Sequence, residues 1–135
     1  MACEILSVKL CELDQRISQL HSRIALTQNS SRERLLAEIS RMQQVCSLET
    51  LTLRSSLENS QAPAARKLAQ IYAESENLTQ EMQTIWEEDP PAGPDPDEKL
   101  LLAEYALDFA LQTADRALLA ALDAMAAQPT EEESA

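Results

Sequence analysis

Apolar residues recur along the first segment at Cys3, Leu6, Leu10, Leu13, Ile17, Leu20 and Ile24, separated alternately by three and four positions. That spacing places all of them on one stripe of an α-helix, so residues 3–28 are predicted to be helical with a heptad seam. With Cys3, Leu10, Ile17 and Ile24 at position a, Leu6, Leu13 and Leu20 fall at d, and Lys9, Arg16 and Arg23 fall at g. Isoleucine at the later a positions with leucine at every d is compatible with a two-stranded seam. An intramolecular helix pair uses the same spacing. Ile5 and Val8 lie off the seam, which predicts that the first turns meet a second surface.

The pattern halts at Asn29-Ser30-Ser31, where Ser30 followed by Glu33 has the spacing of a capping box for a new helix. A connection this short favours antiparallel neighbours. The second helix is predicted over Arg32 to Leu57, with Leu35, Ile39, Met42 and Cys46 on one stripe that widens through Val45, Leu48, Leu51, Leu53 and Leu57. At a rise of ~1.5 Å per residue both helices would extend roughly 40 Å, enough for a hairpin that covers both stripes. At Asn59-Ser60-Gln61-Ala62-Pro63 two outcomes are open: Ser60 caps a third helix with Pro63 in its first turn, or one long rod is kinked there. Beyond it, Leu68, Ile71, Ser75, Leu78, Met82 and Ile85 form another seam, and the helix should end near Trp86 to Glu88.

Residues 89–97, DPPAGPDPD, hold four of the six prolines and the only glycine, so no helix crosses them. Asp95-Pro96-Asp97-Glu98 then reads as a helix start, with a capping carboxylate, a proline in the first turn and acids at the positive end of the dipole. The last helix, about Pro96 to Ala127, differs in kind, since 21 of the 30 residues from Glu98 to Ala127 are apolar. It carries an alanine seam at Ala103, Ala110, Ala114, Ala117, Ala121 and Ala124 and a larger one at Leu107, Leu111, Leu118, Leu122 and Met125. A helix apolar around most of its circumference needs cover from several neighbours, or from another chain. The expected fold is therefore all-α: three or four long helices in an antiparallel hairpin or coiled-coil-like bundle. Its divisions are a helical region over 1–88, a Pro-rich linker over 89–97, an Ala/Leu-rich helix over 98–128 and an acidic, disordered tail over 129–135.

Composition reinforces this reading. One glycine, two valines and four aromatic residues among 135 residues leave little with which to build strands and turns. Charge divides along the chain: residues 1–60 carry seven cations and seven carboxylates, while residues 61–135 carry four cations against sixteen carboxylates, which is the whole net charge of −12. The C-terminal half thus repels phosphate backbones and anionic lipid, so neither nucleic acid nor a membrane surface is an expected partner. The apolar run Leu100 to Ala127 is broken by Glu104, Asp108, Asp115, Arg116 and Asp123 and does not read as a bilayer span. The start, Met1-Ala2-Cys3-Glu4, lacks the layout of a signal peptide, and three cysteines without a CxxC pair suit a reducing cytoplasm.

Catalytic vocabulary is sparse. The lone His21 has Ser18 rather than Glu three positions before it, which removes the Glu-x-x-His pattern of di-iron bundles. A single glycine cannot build a phosphate-cradling loop, and no cofactor is expected. Glu104, Asp108 and Asp115 lie near one azimuth of the last helix, leaving a Mg²⁺-dependent all-α hydrolase as an alternative, beside a solvated polar stripe. A second alternative is an acidic protein that binds a basic partner through its C-terminal half. The leading expectation is a non-enzymatic interaction or assembly protein that associates with itself or with another protein. Its expected interface residues are Leu10, Leu13, Ile17, Leu20 and Ile24 in the first helix and Ala110, Ala114, Leu118, Ala121 and Leu122 in the last.

Overall fold

The computed structural model describes residues 4–129; Cys3 and tail residues 130–135 lie outside that range. It is all-helical, with four helices in chain order: α1 (Glu4–Thr27), α2 (Arg32–Glu58), α3 (Pro63–Glu87) and α4 (Pro96–Ala126). Two compact units are present among the described residues. One comprises residues 4–22 with 95–129, and the other residues 23–94.

Local chemistry explains each boundary. α1 ends where the Thr27 hydroxyl donates to the Arg23 carbonyl at 2.8 Å and the Ser30 N–H closes a turn on the Thr27 carbonyl at 3.0 Å. α2 is capped by Ser31, not Ser30: the Ser31 Oγ accepts from the Arg34 N–H at 3.3 Å, whereas the Ser30 hydroxyl turns back to the Leu26 carbonyl. The shift by one residue arises because the turn after Thr27 occupies Ser30, leaving the next hydroxyl to meet the free amides of α2.

α2 and α3 are separate helices. Asn59 closes the first, its N–H donating to the Ser55 carbonyl at 3.0 Å, and Pro63 opens the second. Ser60 does not cap α3; its Oγ accepts instead from the Ala62 N–H at 3.2 Å, and Ala62 occupies the cap position without a side-chain bond. Pro63 makes a stronger cap dispensable, since its ring presets the helical φ and its missing N–H removes one orphan donor.

Within the second unit α2 and α3 pack against each other, joined by four residues, and therefore run antiparallel. The half-covered side of α3 holds Ala65, Ala69 and Ala73, spaced by four, together with Tyr72, Glu76, Met82, Gln83 and Trp86. Of the larger seam Met82 is half-covered, whereas Leu68, Ile71, Leu78 and Ile85 are between 51% and 61% exposed. Small side chains let two backbones approach closely, and here that geometry prevails over the bulkier stripe. Across the pair, the Thr50 hydroxyl donates to the Cys46 carbonyl at 2.9 Å and stands 3.4 Å from Glu76 Oε2.

The segment before α4 explains the sole glycine. The Gly93 N–H donates to the Asp89 carbonyl at 2.9 Å, and a Cβ at position 93 would collide with the backbone carbonyl of Glu88. Only glycine fits that approach. Asp95 then caps α4, its carboxylate accepting from the Glu98 N–H at 2.9 Å, with Pro96 in the first turn. At the other end the Ala127 N–H bonds the Asp123 carbonyl, and Pro129 follows.

Asp95 carries the one carboxylate cap in the chain's described helices. Asp95→Ala is expected to lower stability by about 1 kcal/mol, read as a reduced midpoint in thermal or urea unfolding, with Asp95→Asn retaining most of it.

Candidate functional site

Apolar side chains in contact with water dominate the surface. Among the described residues Ala121 is the only apolar side chain that is buried, at 9% exposure, with Pro94 the only other buried residue. The described helices have thus formed with almost no fully buried apolar core.

The expected interface residues fall into two sets, the α4 set wholly and the α1 set all but Ile24 in the first unit. In α1, Leu10, Leu13 and Leu20 are between 37% and 41% exposed, while Ile17 and Ile24 reach 53% and 59%. Ile24 lies past the first unit's limit, in residues 23–94. In α4 the half-covered and buried positions, Leu102, Ala106, Ala114 and Ala121, share one face. Ala110 is exposed, and Leu118 and Leu122 stand 46% and 50% exposed on the adjoining leucine face. Two continuous apolar stripes thus face water within one unit, one built from heptads and one from an alanine-and-leucine helix.

No comparable convergence exists for chemistry. Glu104, Asp108 and Asp115 are all exposed, and no group of three or more His, Cys, Asp or Glu side chains able to hold a metal occurs among the described residues. His21 and Cys11 are ten positions apart on one straight helix, about 15 Å along its axis. Both Cys11 and Cys46 are exposed free thiols. An open cleft of about 290 Å³ beside α3 is lined by Glu58, Arg66, Ala69, Gln70 and Ala73, a set without Ser, Thr, Cys, His or Lys. None of the described helices is long and apolar enough to cross a membrane.

One polar cluster was not anticipated. Glu38 Oε1 receives the Arg41 guanidinium twice, at 2.6 Å and 3.1 Å, and lies 3.6 Å from Arg23 Nε at the end of α1. The Arg41 hydrogen bond holds the Glu38 carboxyl below its ordinary range; partial desolvation opposes this, and the charges of Arg23, Arg41 and Arg34 add to the lowering. Arg34 and Arg41 flank Glu38 at helical spacing and were legible as neighbours. Arg23 comes from the preceding helix, so only the fold could supply it. This cluster ties the end of α1 to α2.

Comparison with protein families, with curated proteins and with solved structures returned no match.

Two measurements follow from this geometry. Because the folded Glu38 pKa is depressed, its contribution to stability is complete above the ordinary carboxylate range and is lost as pH falls through the lowered value. The difference in unfolding midpoint between the native chain and Glu38→Gln, clear at pH 7, should shrink below about pH 4 and then vanish. Calorimetric titration with Mg²⁺ or Mn²⁺ is expected to give no binding heat at millimolar metal, and saturable binding abolished by Asp108→Asn would place a metal site on α4.

Proposed function

We propose that this chain is a non-enzymatic α-helical assembly protein that associates with itself through the apolar stripes of α1 and α4. The observation that carries the reading is the exposure of the α1 heptad seam, where Ile17 and Ile24 remain more than half in water. Fully burying one Leu or Ile is worth about 1.5–3 kcal/mol, so a side chain left half exposed forgoes about 1 kcal/mol. The five α1 interface residues then offer about 5 kcal/mol per chain, or about 10 for two chains. Association costs roughly 4–15 kcal/mol in lost freedom, so the α1 seam alone sustains a marginal complex. The leucine face of α4, with Leu107, Leu111, Leu118 and Leu122 between 46% and 65% exposed, supplies the area that makes it firm.

The acidic surface of the C-terminal half suits this role, since a net charge of −12 keeps an assembled particle dispersed while its apolar stripes are covered. A reducing cytoplasm is the proposed setting, one in which Cys11 and Cys46 stay as thiols. Coiled-coil packing is the mode of contact that the heptads support.

Sedimentation equilibrium at micromolar concentration is expected to give a mass that is a multiple of 15.0 kDa. A stable monomer would contradict self-association. Leu118→Asp should abolish assembly by placing a charge in the seam, at a cost of several kcal/mol if it were buried uncompensated. Unchanged melting and unchanged assembly in that variant would show that the seam is idle.

A further inference from the structure

We propose that α1 pairs with α1 of a second copy of this chain as a parallel, in-register, two-stranded coiled coil. The inference rests on the self-association reading and adds its partner, orientation and register. Leu6, Leu10, Leu13, Ile17, Leu20 and Ile24 form the seam, six consecutive a and d positions without a polar interruption. Isoleucine at two of the three a positions, Ile17 and Ile24, with leucine at every d approaches the combination that favours two parallel strands.

The residues flanking the seam decide the orientation. Every g position of α1 is basic, Lys9, Arg16 and Arg23, while the e positions are Ser7, Asp14 and His21. In an antiparallel pair g faces g′ and e faces e′, so cations meet only cations. Centred on one another, such helices would set Lys9 against Arg23′, Arg16 against Arg16′ and Asp14 against Asp14′. In a parallel pair each g residue faces the e′ residue five positions later. Lys9 then meets Asp14′, twice by symmetry, and Arg16 meets His21′, while Arg23 lies at the end of α1 with no e′ residue of the helix opposite it. The antiparallel arrangement contains three kinds of like-charge pair and the parallel arrangement contains opposite charges.

The intrachain contacts of Lys9 and Arg23 are compatible with the parallel pair. Lys9 Nζ lies 3.5 Å from Glu12 Oε2, but both side chains are at least 60% exposed, and such a surface pair is readily exchanged. Arg23 reaches Glu38 at 3.6 Å, a contact that a parallel partner leaves in place, whereas an antiparallel partner would bring Lys9′ against it.

The test uses the full chain with Cys3→Ser, Cys11→Ser and Cys46→Ser, to which Leu20→Cys is added. In a parallel in-register pair residue 20 faces its own counterpart at d, so mild oxidation should give a disulfide-linked species of twice the 15.0 kDa chain mass. In an antiparallel pair residue 20 faces a residue of the a series, and no such link forms. A second variant leaves the seam intact: Asp14→Lys, at an exposed position, should weaken association about ten-fold at low salt, and Lys9→Glu combined with Asp14→Lys should restore it. An assembled protein with no 20–20′ link and no response to Asp14→Lys would overturn the parallel pairing while leaving self-association in place. A linked species within a trimeric or larger mass would overturn the two-stranded state. A monomer in every condition would overturn the self-association reading and this inference with it.

Discussion

Water in contact with apolar side chains is the constraint on which the rest of this structure depends. A helix in isolation is marginal, because nucleation fixes several residues for one hydrogen bond and the gain on extension is small. Burial of an apolar face is what normally supplies the balance. In this chain four helices of 24 to 31 residues have formed, yet Ala121 is the only buried apolar side chain among the described residues. Caps, prolines and the Gly93 turn set where each helix begins and ends. They contribute too little to hold the helices together.

The two units meet that constraint in different ways. In residues 23–94, α2 and α3 form a hairpin through the alanine side of α3, with the Glu38 cluster binding the end of α1 to α2. In the unit that contains residues 4–22 and 95–129, the small residues Ala114 and Ala121 take the covered positions while leucines on the neighbouring face stay in water. In both units small residues are among the covered positions while many leucines and isoleucines stay more than a third exposed. The large side chains hold most of the hydrophobic free energy that burial could release.

Much of the fold was legible because its determinants are local. The heptads of α1, the proline at the start of α3, and the Asp95-Pro96 start of α4 each act through residues within a few positions of one another. The cap of α2 moved by one residue because Ser30 and Ser31 are chemically equivalent and only the preceding turn chooses between them. The buried side of α3 was missed because large side chains drew the stripe, while Ala65, Ala69 and Ala73 carried an equally regular spacing of four. The Arg23–Glu38 contact was beyond reach, since it joins residues on different helices. Of the candidate interface, the stripes themselves were legible as periodicity. Their degree of exposure was not, because it depends on what each helix packs against.

The proposed self-association would cover these apolar faces. Thermal unfolding followed by circular dichroism across a hundred-fold range of protein concentration distinguishes a chain that assembles from one that folds alone. Where folding and assembly are linked, mass action raises the midpoint with concentration, and that rise is the expected result. A midpoint independent of concentration, with a single sharp transition, would show that the chain completes its fold alone.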